Sequence, residues 1–240
     1  MWNNGYLYTF SPDAFGYSQY DSVQTQYQKS QIILIVIADD HPSLLSGVEA
    51  DLNKDTKIKI ISTATSYDVL LEQVKDNKPH IVLLDLKMPG CERYSLKDFI
   101  SKLKLYSECK IIIFSSETGW VRIHRCLEIG ASAYIEKAIS LEKLKELIHK
   151  VYNNKELIVY TADELPQIAI SKRQREILHY MVDGKENNEI AVLLGIDIKT
   201  VQSYINEIKS KFKETLGIHS LKPRTLLLLA SKLGFGSKVA

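Results

Sequence analysis

Three aspartates, a serine and a lysine stand where short apolar runs end. Asp39 and Asp40 follow IILIVIA (32–38), Asp85 follows IVLL (81–84), Ser115 follows IIIF (111–114), and Lys137 lies just past AYI (133–135). A carboxylate closing an apolar run is costly inside a protein unless it is paired or bound to a metal. Carboxylates gathered in one place raise one another's pKa unless a cation neutralises them. An oxygen-only ligand set suits Mg²⁺, which keeps several waters and takes few protein ligands. The chemistry that fits is phosphoryl transfer to a carboxylate. One Asp is the nucleophile, the metal and the ammonium neutralise charge on the transferring group, and the hydroxyl holds one phosphoryl oxygen.

The elements that must position these groups follow from the same runs. With a further run at 58–61 (IKII), five segments of strand length, rich in Ile and Val, read as strands buried on both faces. Helical patterns lie between them. Leu45, Val48 and Leu52 share one face, as do Leu141, Leu144, Leu147, Ile148 and Val151, with Ser140 as N-cap. Five strands each followed by a helix predict an α/β doubly wound parallel sheet, whose ligands sit at the carboxyl ends of the strands. That places Asp85 on a functional rim.

A second constellation lies in the last seventy residues, which carry twelve Lys and Arg against seven Asp and Glu, a net +5 in a chain of net +2. The segment 170–212 parses into helices. Ser171 caps one with Ile177, Leu178, Met181 and Val182 as its apolar positions, ended by Gly184. A short helix runs through Ile190, Leu193 and Leu194 to Gly195, and Asp197 caps a longer one. Two helices joined by a short Gly-containing turn form a helix-turn-helix signature. In the longer helix Val201, Ile205, Ile208 and Phe212 form the packed face, opposite Lys199, Gln202, Ser203, Asn206, Lys209 and Ser210. Lysines for phosphates with Gln and Asn for base edges suit the major groove of DNA. Any surface helix shows polar residues opposite an apolar stripe, so composition by itself does not separate the two readings.

Composition bounds the rest. At 240 residues and 45% hydrophobic content the chain has room for two domains with cores, and no apolar run reaches membrane-spanning length. Cys91, Cys109 and Cys126 show no metal-ligand spacing and read as isolated thiols of a reducing compartment. Residues 1–30, polar and aromatic without a period, predict a disordered extension. Residues 153–169, which contain Pro166, predict a linker. The abundance of Ile, Lys, Asn and Tyr points to an AT-rich genome, and hence to a bacterial cytoplasm or a plastid stroma.

Residues 31–152 resemble the receiver domain of two-component response regulators, through DDHP, LLDLKMPG, IIIFSS and GASAYIEK in order. The resemblance implies that Asp85 accepts the phosphoryl group from a sensor histidine kinase. Asp40 would then ligate Mg²⁺ directly and Asp39 through water. Lys137 would pair with the phosphoryl group, Ser115 would be the switch hydroxyl, and Tyr134 the rotating aromatic. Residues 170–240 resemble the LuxR/NarL-type helix-turn-helix output domain, through SKRQREIL and NNEIAVLLGIDIKTVQSYINEIKSKF. This implies Lys199 and Thr200 near phosphates, Gln202, Ser203 and Asn206 near bases, and a homodimer on DNA when phosphorylated. Gln202 stands where a Lys is common in the family, so an A·T pair read by Gln202 or Asn206 is expected. After Phe212 the link to a last helix, expected over Leu226–Leu233, is longer than the family's.

Two other functions compete. A phosphatase with an aspartyl-phosphate intermediate would want an acid/base Asp two residues after its nucleophile, and Lys87 stands there. A regulator with a vestigial receiver would bind DNA constitutively, and a phosphate-transfer assay separates it from a switched one.

Overall fold

The structure is a computed structural model that describes residues 6–10, 32–153, 157–162 and 165–235. The first body alternates strand and helix: β2 (Ile33–Ala38), α1 (Pro42–Leu52), β3 (Ile58–Ala64), α2 (Tyr67–Asn77), β4 (Ile81–Leu84), α3 (Leu96–Tyr106), β5 (Lys110–Ser115), α4 (Trp120–Glu128), β6 (Ala133–Glu136) and α5 (Leu141–Asn153). Two further strands, β1 (Tyr6–Phe10) and β7 (Leu157–Thr161), complete one sheet of order β1-β7-β6-β5-β4-β2-β3. Every pairing is parallel except β1 with β7.

The period of two along β2 shows how one run feeds two cores. Ile33, Ile35 and Ile37 face α1 and α5, against Leu45, Val48, Leu52, Leu144 and Ile148. Val36 and Ala38 face the opposite core with Leu70, Val74, Phe99, Leu103 and Ile123. Burial on both faces is what an unbroken Ile/Val/Leu run requires. Ser140 does cap α5, its Oγ accepting from Lys143 N at 3.3 Å.

Two expectations at the edges are corrected. The parallel sheet has six strands and not five, because Leu157–Thr161, inside the expected linker, pairs with β6. LIVYT has ordinary strand propensity, and the nearby Pro166 and polar residues drew it into the linker reading. The expected disordered extension also differs at Tyr6–Phe10, which form an antiparallel strand on β7 with Tyr8 opposite Val159. Its period was hidden because aromatic and apolar residues run together in YLYTF. The other residues of that extension, 1–5 and 11–30, lie outside the described ones.

The second body is helical: α6 (Lys172–Val182), α7 (Asn187–Leu194), α8 (Ile198–Leu216) and α9 (Pro223–Lys232). Ser171 and Gln174 form a reciprocal capping box at α6. Gly195 closes α7 with φ +62°, the left-handed conformation that lets the chain turn sharply into α8. Asp197 occupies the N-cap position of α8, but its side chain makes no capping hydrogen bond.

The two bodies touch along α4 and α9. Glu128 Oε1 accepts from Thr225 Oγ1 at 2.6 Å and from Lys222 N at 3.3 Å, and Lys222 Nζ also donates to the Glu128 carbonyl. Lys232 Nζ sits 3.6 Å from the centroid of the Trp120 ring. Helix α9 is buried at six consecutive positions, Thr225 to Ala230. A helix apolar all round must be covered on every side, and α6, α4 and β1 surround it.

Candidate acidic centre and nucleic-acid interface

The acidic residues meet because three adjacent strands end together. Asp39 N donates to Ala64 O and Asp85 N to Ala38 O, so both aspartates leave the sheet at the last rungs of their ladders. Lys137 N donates to Ser115 O at 2.9 Å, which brings the fifth chain segment to the same rim. The loop after Asp85 is held by α2: Tyr67 N donates to Pro89 O at 3.0 Å and Tyr67 Oη to Leu86 O at 3.3 Å. Gly90 allows that turn with φ +91°, where a Cβ would press on the Arg93 guanidinium and on Tyr67.

The resulting centre is compact and charged. Lys137 Nζ lies 2.8 Å from Asp85 Oδ2 and 2.5 Å from Asp39 Oδ2. Asp39 and Asp85 are 1% and 4% exposed, so this ion pair is shielded from solvent. Burial opposes the ammonium charge, but the hydrogen bonds Lys137 donates to Asp39 and Asp85 outweigh it and hold the Lys137 pKa above its ordinary value. One ligand atom each from Asp39, Asp40, His41 and Asp85 falls within a 4.8 Å group. Three carboxylates against the one Lys137 ammonium leave two negative charges uncompensated, the charge of one divalent cation.

Ser115 and Tyr134 are both buried, on β5 and β6. Ser115 Oγ accepts from Glu117 N at 3.2 Å, and Tyr134 Oη donates to Glu117 O at 2.7 Å. Burial pushes the Tyr134 phenol well up, so it stays a donor. Glu117 also pairs with Lys87 at 2.9 Å and with Arg122 at 2.5 Å. The loop between β5 and α4 is therefore tied to the acidic rim on one side and to α4 on the other.

Sequence reasoning missed two residues. His41 Nδ1 is 3.0 Å from Asp39 Oδ1 and 2.9 Å from Asp40 Oδ1, and His41 N donates to Asp39 Oδ1. It was visible as the neighbour of the aspartates but had no metal-ligand spacing to mark it. Glu117 sits in SSETGW, a loop without periodicity, and carries no sequence signal.

In the helical body, Val201, Ile205, Ile208 and Phe212 are buried as expected, with Leu216 extending the stripe. Lys199, Gln202, Ser203 and Asn206 are exposed on α8, and Thr200 and Lys209 half-buried beside them. The Gln202 side chain is not free: Asn187, the first residue of α7, donates from Nδ2 to Gln202 Oε1 at 3.1 Å.

Comparison with known proteins agrees with both bodies. Residues 35–149 match the response regulator receiver domain, and residues 169–221 match the bacterial regulatory proteins of the luxR family. The response regulator protein VraR of Staphylococcus saprophyticus is 27% identical over 75% of this chain and 90% of its own length. The DNA-binding transcriptional activator EvgA of Escherichia coli is 27% identical over 83% of this chain and 98% of its own. Among solved structures, RcsB in a structure of two dimers bound to two parallel DNAs superposes with a TM-score of 0.53 at 19% identity, covering 83% of this chain and 99% of that one. Among the described residues no helix is long and apolar enough to cross a membrane. A receiver-type parallel sheet joined to a four-helix body with a helix-turn-helix, each matched by its own family in this order, makes the chain a response regulator with a LuxR-type DNA-binding output domain.

Proposed function

We propose that the chain is a phosphorylation-dependent transcription regulator whose phosphoryl acceptor is Asp85. The observation that carries this reading is the buried Asp85 carboxylate with Lys137 Nζ 2.8 Å away and a second aspartate on the same ammonium. A carboxylate held at a strand tip beside a fixed cation is placed to attack, and the cation neutralises charge on the arriving group. The donor set supports Mg²⁺. Asp39 and Asp85 share the one ammonium of Lys137, and Asp40 stands more open beside them, so the carboxylates outnumber the cations they face. Asp39, Asp40 and Asp85 would hold the ion, which supplies charge neutralisation at the phosphoryl oxygens. Ser115 and Tyr134 then sense the modified Asp85 through Glu117 and the loop into α4. The donor is a sensor histidine kinase, the output is DNA bound by α8, and the active species is a homodimer in the cytoplasm of a bacterium or the stroma of a plastid.

A phosphatase reading lacks its second acid. Lys87 stands at that position and is ion-paired with Glu117. Incubation with acetyl phosphate and Mg²⁺ tests the assignment. Asp85→Asn abolishes labelling, whereas label surviving in that variant and mapping elsewhere would refute Asp85 as the acceptor.

A further inference from the structure

Gln202 is the residue on α8 best suited by type to read a base edge, and an unconstrained Gln pairs bidentately with adenine, accepting from N6 and donating to N7. That pairing needs both ends of the amide turned toward the same base. In this protein one end is engaged: Gln202 Oε1 accepts from Asn187 Nδ2 at 3.1 Å, between the amino-terminal end of α7 and the first turns of α8. The contact draws the oxygen toward α7 and leaves Nε2, with its N–H donors, as the end directed away from it. Both residues line a cleft that also contains Lys185 and Lys209, so the amide stands among cations suited to phosphates.

We infer that Asn187 is a positioning residue for sequence recognition: by holding the Gln202 oxygen it makes Gln202 a donor and turns its preference from adenine to guanine. Guanine offers two acceptors in the major groove, N7 and O6, and no donor there. Adenine offers N7 beside the N6 amino group, which would face a donor and go unmatched. Asn206 has no such constraint on its amide among the hydrogen bonds of the described residues and keeps the adenine reading. The inference rests on the proposal that Gln202 contacts a base.

Selection of the full-length chain on a randomised duplex pool, at fixed salt and with acetyl phosphate and Mg²⁺, tests it. Gln202→Ala first locates the base pair concerned, as the one position whose preference relaxes. At that pair the unmodified protein selects guanine by about tenfold over adenine. Asn187→Ala frees the amide and admits adenine on equal terms. Asn187→Asp can only accept, so it takes a Gln202 N–H, turns the oxygen outward and moves the preference to the amino-bearing bases adenine and cytosine. A merely structural role for Asn187 would weaken all sequences alike and change no base identity. If Gln202→Ala relaxes one pair but both Asn187 variants keep the original base there, the positioning role is wrong and the base contact stands. If Gln202→Ala relaxes no pair, the base contact itself is wrong, and the inference falls with it.

Discussion

Lys137 and the three aspartates set the character of the receiver more than any other residues. Removing one partner of a buried ion pair leaves the other charge uncompensated, at a cost of about 3–5 kcal/mol. Lys137→Ala is therefore expected to lower the unfolding free energy by roughly that amount in metal-free buffer, as read by urea denaturation, with Mg²⁺ recovering part of the loss. In the unmodified protein Mg²⁺ is expected to raise the thermal midpoint, because a ligand at one hundred times its Kd contributes about 2.7 kcal/mol. Asp39→Asn and Asp40→Asn both abolish the metal-induced rise. A midpoint indifferent to Mg²⁺ would remove the cation from the account. The meeting of Asp85, Lys137, Asp39 and Asp40 on one rim was legible because each follows a strand-like run. His41 and Glu117 were not, since their importance lies in distances that spacing does not encode.

Helices α4, α8 and α9 carry the consequences at the next scale. On α8, Lys199→Ala and Lys209→Ala are expected to weaken all DNA sequences alike and to lower the salt dependence of binding by about one phosphate contact each. Asn206→Ala costs about 1–3 kcal/mol at its preferred site and relaxes one base pair. Equal, sequence-blind losses in all three variants would contradict the groove assignment. Where α4 meets α9, His124 Nε2 is buried without a hydrogen bond, 3.6 Å from Glu128 Oε1. Burial holds the His124 pKa below its ordinary 6.5, with Glu128 pulling it up and Lys222 pushing it down. A lowered folded-state pKa means stability that is complete above 6.5 and is lost as pH falls through the lowered value. The thermal midpoint is thus expected to drop below pH 6.5 in the unmodified protein and to do so less in His124→Gln. Parallel curves for the two proteins would show that another group governs the acid response. The strands and helices were readable from apolar period, and β1 and β7 were the exceptions. A five-residue run beside a proline looks like a linker until a neighbouring strand edge claims it.

At the scale of the whole molecule, the two bodies share one continuous core on the α2–α4 side of the sheet, which runs into the helices of the output domain. Sequence alone anticipated a parallel α/β sheet followed by a helical body, but it could not see that α9 is covered by the other body, since a leucine run does not specify its partner. Tyr6–Phe10 adds a strand to the sheet edge beside that helix, so the amino-terminal extension is expected to matter for stability. Deleting residues 1–10 uncovers the β7 edge and one flank of α9, and faster amide exchange in Leu157–Thr161 and Pro223–Lys232 should follow. Unchanged exchange in both segments would return the extension to the idle role first expected from its composition. The contacts that hold α9 against α4 cover one flank of α9. Phosphorylation at Asp85, acting through Glu117 and α4, is the event expected to release it.

The most direct measurement is the affinity of the full-length chain for its selected duplex, at one salt concentration with Mg²⁺, before and after treatment with acetyl phosphate. The unmodified protein is expected to bind more tightly once labelled, and Asp85→Asn to bind at the unlabelled level under both conditions. Equal affinity of labelled and unlabelled protein would contradict the claim that the acidic centre controls DNA binding.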